Sequence, residues 1–307
     1  MMYDPTELVL TGGFTVALGI FVIGAAVRMH RCQTTAAVVA VDRVPGDAAS
    51  PYQSPEAPAL PPGLPYGKVP VWFYRPWDLV GAAVVFGVFG LLVVGSLSGS
   101  HATLQAVGPV TLVVNIGFQF VMAGGVAVMV VKRVGWVTWL GLRWTGWPWV
   151  FLIAPGAVLF MWAVFGGLQV SGYMDWMESL GVETVQDTVK LLQQSEDPLI
   201  LGLMAAAAVV AAPLCEEIVF RGYFYPVMKK FAGAWPAAVC SALVFACAHG
   251  NLAAVLPLFL FGGVLVILYE KTGSLWTPVA VHFCFNSATV VGQIAARYYH
   301  LPLGNSP

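Results

Sequence analysis

Six polar residues stand out in this chain because of the apolar sequence around them. Glu216 and Glu217 lie in Ala211-Ala-Pro-Leu-Cys-Glu-Glu-Ile-Val-Phe-Arg221, His249 ends Phe245-Ala-Cys-Ala-His, and His282 and Asn286 bracket His-Phe-Cys-Phe-Asn. An ionised side chain at the centre of a membrane helix costs on the order of 2.5–3.5 kcal/mol, so two adjacent carboxylates need a partner or a function. Successive helical residues point about 100° apart, so Glu216 and Glu217 face different ways. Glu217 and Arg221 stand at i and i+4 and can pair, which leaves Glu216 available. His282 and Asn286 have the same spacing and can project into one cavity. A carboxylate and an imidazole together can hold and deprotonate a water, and a second histidine with an asparagine can donate to a developing oxyanion. Ser287 adjoins Asn286 but points about 100° away, and nothing marks it as an activated nucleophile.

Other chemistries use the same residue types. Glu216, His249 and His282 are zinc-type ligands. The chain has no HExxH helix, and Cys247 and Cys284 each sit two residues from a histidine, about 200° round a helix. A metal-free, cofactor-free site is therefore expected. Taken singly, a Glu217–Arg221 pair or an interhelical histidine is structural glue, and buried Glu and His also serve proton relays in transporters.

The elements that must position these groups follow from composition. Of 307 residues, 59% are hydrophobic and 9% charged, against roughly 25% charged in soluble domains; mean hydropathy is +0.80. This excludes a soluble enzyme, a nucleic-acid binder and a disordered chain, and makes the lipid bilayer the main solvent. Apolar runs of bilayer-crossing length occur near 8–27, 79–97, 111–131, 147–169, 199–220, 235–250, 254–269 and 276–294. The sixth and seventh are short and separated by Gly250-Asn251, so they form a tight hairpin or one interrupted element. The expected fold class is all-α, a polytopic transmembrane bundle of about eight helices. Helix rise sets His249 and Glu216 about 20 Å, and His282 and Asn286 about 10 and 16 Å, from the ends of their spans on one side, so the three helices bring the polar groups to overlapping depths.

With the N-terminus outside, Arg28, Arg31, Arg43, Lys68, Arg75, Lys132, Arg133, Arg143, Arg221, Lys229, Lys230 and Lys271 fall inside, and only Lys190 and Arg297 outside, a positive-inside pattern. The expected site opens toward the cytoplasmic half. Asp4 and Glu7 precede the first run and Arg28 and Arg31 follow it, unlike a cleavable signal. Residues 1–32 are thus expected to be an anchor and 33–76 a Pro-rich cytoplasmic tether, since nine of 21 prolines fall between Pro45 and Pro76. Residues 77–307 are expected to form the catalytic bundle. Val182, Val185, Val189 and Leu192 follow a helical period, which predicts a short amphipathic helix on the membrane surface. The five cysteines show no CxxC and read as small apolar residues. Trp136, Trp139, Trp144, Trp147 and Trp149 read as an interfacial belt, and Gly262-Gly263 as close helix packing.

The motifs Glu216-Glu-Ile-Val-Phe-Arg221 (EExxxR), Phe245-Ala-Cys-Ala-His249 (FxxxH) and His282-Phe-Cys-Phe-Asn286 (HxxxN), in this order on successive apolar helices, resemble those of the CPBP family, the CAAX proteases and bacteriocin-processing enzymes also called the Abi family. Ala212-Pro213, Gly222 and Thr272-Gly-Ser-Leu-Trp-Thr-Pro extend the resemblance, which covers about residues 140–295. It implies an intramembrane endopeptidase of the glutamate type. Glu216 and His249 would activate water, His282 and Asn286 would form the oxyanion hole, and Glu217 and Arg221 would support the site or contact substrate. The implied substrate is a membrane-associated or lipidated, CaaX-like peptide. The chain's own last residues, Gly-Asn-Ser-Pro, are not a CaaX box. A non-proteolytic immunity or scaffold protein of the same family is the alternative. The sequence points to a bacterial plasma membrane and leaves the oligomeric state open.

Overall fold

The computed structural model describes residues 5–41, 67–98 and 108–299; most of the Pro-rich tether, residues 42–66, lies outside the described residues. The described residues include ten helices: α1 (Pro5–Val41), α2 (Asp78–Ser98), α3 (Pro109–Leu140), α4 (Val150–Val170), α5 (Tyr173–Ser179), α6 (Asp187–Gln194), α7 (Pro198–Ala232), α8 (Ala234–Cys247), α9 (Leu252–Thr272) and α10 (Trp276–Tyr298). Seven of them are long and apolar enough to cross a membrane. The eighth expected crossing, α8, has 14 residues, about 21 Å of helix against a hydrocarbon core of about 30 Å. The short sixth and seventh runs therefore form a hairpin. Gly250 takes a left-handed turn (φ 70°) between α8 and α9, and Asn251 caps α9 by accepting from Ala254 N at 2.9 Å.

Helix ends gather at two faces. At one, Asp78 at the start of α2 pairs with Arg133 of α3 at 2.6 Å. Leu275 N bonds to Leu140 O at 2.9 Å, and Lys229 of α7 pairs with Glu270 of α9 at 2.5 Å. Glu270 also takes the Tyr225 hydroxyl at 2.6 Å, while Lys229 donates to Val69 O at 3.0 Å. This is the basic face. At the opposite face, Asn251 donates to Glu183 O at 3.0 Å, Tyr173 to Ala253 O at 3.2 Å and Gln193 to Gln293 at 2.8 Å. The segment holding α5 and α6 thus sits on the tip of the α8–α9 hairpin, where Tyr173 gives the Ala253 carbonyl and Asn251 gives the Glu183 carbonyl the donor that hydrocarbon cannot.

The amphipathic helix read from residues 182–192 is α6, with Val189 and Leu192 buried. Leu192 packs on Met204 of α7 and Val290 of α10, so its apolar stripe faces protein; Val182 lies before the helix, against Met177 and Leu252. Trp136, Trp147 and Trp149 are exposed, in keeping with a belt, but Trp139 is 1% exposed. Its indole donates to Gly222 O at 2.8 Å, a carbonyl that also takes the Tyr74 hydroxyl at 2.6 Å. Gly222 O is free because its i+4 partner is Pro226, which has no N–H. Burial pushes the Tyr74 phenol well above its ordinary range, so it stays protonated and donating.

Candidate active site

Glu216, Glu217 and Arg221 ride on the middle of α7, between two wide, π-type turns at Ala207–Ala211 and Ile218–Phe224. The first turn has a traceable cause and a consequence. Ala212 N bonds back to Ala207 O, and Pro213 has no N–H to offer, so the Ala208 carbonyl loses both helical donors. The Asn286 amide of α10 takes that carbonyl at 2.7 Å. Pro213 in the flank of the first motif thereby anchors the asparagine of the third, as π-type turns in helices often do at functional sites.

Glu217 and Arg221 are both 0% exposed and pair at 2.9 Å, as their i, i+4 spacing predicts. The same carboxylate oxygen, Oε1, takes Nδ1 of His282 at 2.9 Å. Glu217 therefore ties α7 to α10 as well as to its own next turn. Arg221 also donates to Gly262 O of α9 at 3.2 Å and lies 4.4 Å over the Phe245 ring of α8, a favourable cation–π geometry. One guanidinium thus touches three helices. Gly262 is needed there, since a Cβ would meet Ala242 at 3.2 Å, whereas Gly263 faces open space.

In front of this buried pair lies a cavity of about 440 Å³ whose wall includes Glu216, His249, His282 and Asn286. Glu216 is half-buried, and its Oε2 has no hydrogen-bond partner in the protein. His249 does not sit in a membrane helix as expected; it stands in the turn after α8. Its Nδ1 meets the Phe245 carbonyl at 2.8 Å. A carbonyl only accepts, so Nδ1 carries the hydrogen, and the Nε2 lone pair is left for a proton. His282 is 3% exposed, with Phe245 and Phe261 packed edge-on to its ring at centroid distances of 6.0 and 5.3 Å. Its Nδ1 faces a carboxylate, which leaves Nε2 as its free nitrogen. Phe245, read from the sequence only as a motif letter, touches Arg221, His249 and His282 with its ring and orients His249 with its carbonyl.

The cavity runs from the glutamate and histidines toward α6 and Gln293, lined on the way by Gln186, Val189, Leu192 and Thr289. It extends away from the basic face, whereas the expected opening was toward the half bearing the basic residues. Its walls on that side come from α6, from Ala254, Pro257 and Leu258 at the start of α9, and from the C-terminal half of α10. Thr111, Asn115 and Gln119 of α3 also line it. Gln119 donates to Asn115 at 2.9 Å, and the buried Gln119 Oε1 has no partner. Neither residue was singled out from the sequence, although polar residues four apart in an apolar run are the signal that would have found them. Among the described residues, no group of three or more His, Cys, Asp and Glu side chains converges as a metal site would require.

Residues 198–288 match the family described as Type II CAAX prenyl endopeptidase Rce1-like. The chain is also 22% identical, over 136 residues, to "Putative membrane peptidase YdiL" of Bacillus subtilis (strain 168), a stretch covering 44% of this chain and 52% of that protein. The chain thus spans about half the length of that relative. No solved structure matches the chain at a significant level.

Proposed function

From the match of residues 198–288 to the Rce1-like family, we propose that this integral membrane protein is a peptidase that hydrolyses a peptide bond of a membrane-associated or lipidated, CaaX-like peptide. The observation that carries this reading is the single cavity lined by Glu216, His249, His282 and Asn286, which arrive from α7, the α8–α9 turn and α10. Glu216 and His249 hold a water and take its proton, Nε2 of His249 being the basic nitrogen. The water oxygen attacks the substrate carbonyl carbon. The resulting oxyanion is held by the second N–H of the Asn286 amide and by His282, which donates from Nε2 when both ring nitrogens are protonated and Glu217 offsets its charge. The tetrahedral carbon then expels the amine, which takes a proton back from the Glu216–His249 pair. Glu217 and Arg221 are positioning residues, set behind the cavity wall and fixing His282 and Phe245.

In this proposal the basic face lies toward the cytoplasm of a bacterial plasma membrane, by the positive-inside rule. The N-terminus is then outside, and the cavity extends toward the outer half. In this proposal residues 1–32 anchor the chain and 33–76 link it to the catalytic bundle, 77–307, the link beginning within α1 and ending with Val69 and Tyr74 bonded to α7.

The test is membrane proteomics of cells carrying the wild type or Glu216→Gln, scored for new peptide termini. The proposal expects termini that depend on Glu216, and a cleavage rate lowered about 10²–10⁴-fold by the substitution, as for loss of a general base. Identical termini in both strains, with the cellular phenotype kept by Glu216→Gln, would overturn it in favour of a scaffold or immunity role.

A further inference from the structure

We propose that the groove between α1 and the α7–α8 junction binds one anionic phospholipid. The groove has a volume of about 460 Å³ and two chemically distinct parts. Ile20, Ile23, Val27 and Pro236 form an apolar wall; Arg28 and Arg31 stand beyond it, where Trp235 is 64% exposed. Its shape has a local cause. At Gly24, α1 is pressed against the junction so closely that a Cβ would come within 2.7 Å of Pro236 and 3.2 Å of Ala232. One turn further on the residue is Arg28, whose side chain reaches toward Gly233.

The electrostatics single out an anion. Arg28 and Arg31, at i and i+3, share one side of α1. Arg28 is half-buried as a residue and its Nη1 lies 3.6 Å from where a Gly233 Cβ would be, yet Arg28 makes no ion pair or hydrogen bond among the described residues. None of the groove's lining residues is acidic. A guanidinium beside an apolar wall with no acidic residue in the groove is complementary to an anion. A phosphate is such an anion. The apolar wall running deeper into the membrane matches an acyl chain, and an indole beside the guanidinium matches headgroup level. A free phosphate would satisfy the arginine and leave the wall bare, so the two-part groove fits a phospholipid. The site is remote from the proposed active site, on the basic face with Lys229 and Lys230, and does not depend on the proposed activity.

The full chain in detergent, titrated with phosphatidylglycerol or phosphatidylcholine of the same acyl chains and read by native mass spectrometry, tests this. One phosphatidylglycerol is expected to be retained in preference to phosphatidylcholine. The Arg28→Gln/Arg31→Gln variant is expected to lose about 30-fold in phosphatidylglycerol affinity, from about 1 kcal/mol per basic residue. Arg143→Gln, at an exposed arginine away from the groove, is expected to keep the preference. Both arginines project from α1 at its rim, so the double variant is expected to fold, and its thermal unfolding in phosphatidylcholine micelles checks this. Equal retention of both lipids by the wild type, an unchanged preference in a folded double variant, or displacement of bound lipid by glycerol phosphate would each overturn the proposal.

Discussion

Glu217→Gln separates the roles of two adjoining glutamates. The substitution keeps the side chain's shape and removes its charge. In the wild type, Glu217 Oε1 takes both Arg221 and His282 at 2.9 Å, and Glu217 and Arg221 are 0% exposed. After the change, the buried guanidinium keeps Gly262 O and the Phe245 face but loses the carboxylate it touches. Breaking one side of a buried pair costs about 3–5 kcal/mol, chiefly because the partner is left as an uncompensated charge. That is a large part of the 5–15 kcal/mol typical of folded proteins. Glu216→Gln removes a carboxylate that lines the cavity and leaves no comparable charge stranded, so its effect on stability is expected to stay within about 1 kcal/mol.

The assay is reversible unfolding of the purified protein in mixed micelles, applied to both single variants, to Arg221→Met and to Glu217→Gln/Arg221→Met. The double variant removes both charges and is expected to regain about 2–3 kcal/mol relative to the sum of the singles, the upper range for directly contacting groups. A Glu217→Gln protein within 1 kcal/mol of the wild type, or strictly additive behaviour in the double variant, would refute the view that this pair is a buried support for His282.

Four further outcomes are expected. Asn286→Ala, measured against a substrate found by proteomics, is expected to lower turnover about 10²–10³-fold as an oxyanion donor is lost. Gly141→Ala is expected to destabilise by about 2–5 kcal/mol in the same unfolding assay, since Gly141 has φ 62° and a Cβ there would run into the Gly273 carbonyl. Trp139→Phe is expected to cost about 1 kcal/mol, because Tyr74 still donates to Gly222 O; adding Tyr74→Phe strips that buried carbonyl of both donors and is expected to cost more than the two singles together. Lys229→Met leaves Glu270 without its buried cation and removes the donor to Val69 O. Limited proteolysis is then expected to cut near Gly67–Val69 faster than in the wild type, where Lys68 N and Val69 O are hydrogen-bonded.

Much of this architecture follows from local sequence, because apolar length and helical spacing are properties of contiguous residues. The crossings, the Gly250-Asn251 break, the amphipathic stripe of α6 and the i, i+4 pairing of Glu217 with Arg221 are of that kind. The scarcity of charge in the apolar runs makes Glu216 and Glu217 conspicuous without any fold in hand. Trp139 was misread as a belt residue because interfacial and buried tryptophans look alike until a carbonyl such as Gly222 O is found beside the indole.

The sequence by itself determined which residues are polar at membrane depth, which share a helix face, and which motifs they compose. Only the tertiary structure decided that His282 answers to Glu217, that Asn286 takes the carbonyl freed by Pro213, and that the Phe245 carbonyl sets the tautomer of His249. It alone decided that the cavity runs toward α6 rather than the basic face, and that Asn115 and Gln119 line it. The His282–Glu217 and Asn286–Ala208 contacts join elements tens of residues apart, and the Phe245–His249 contact, though local, forms in a turn that ends α8. Their geometry depends on how far α8 reaches before it turns and where α7 widens, and no spacing within one helix encodes that.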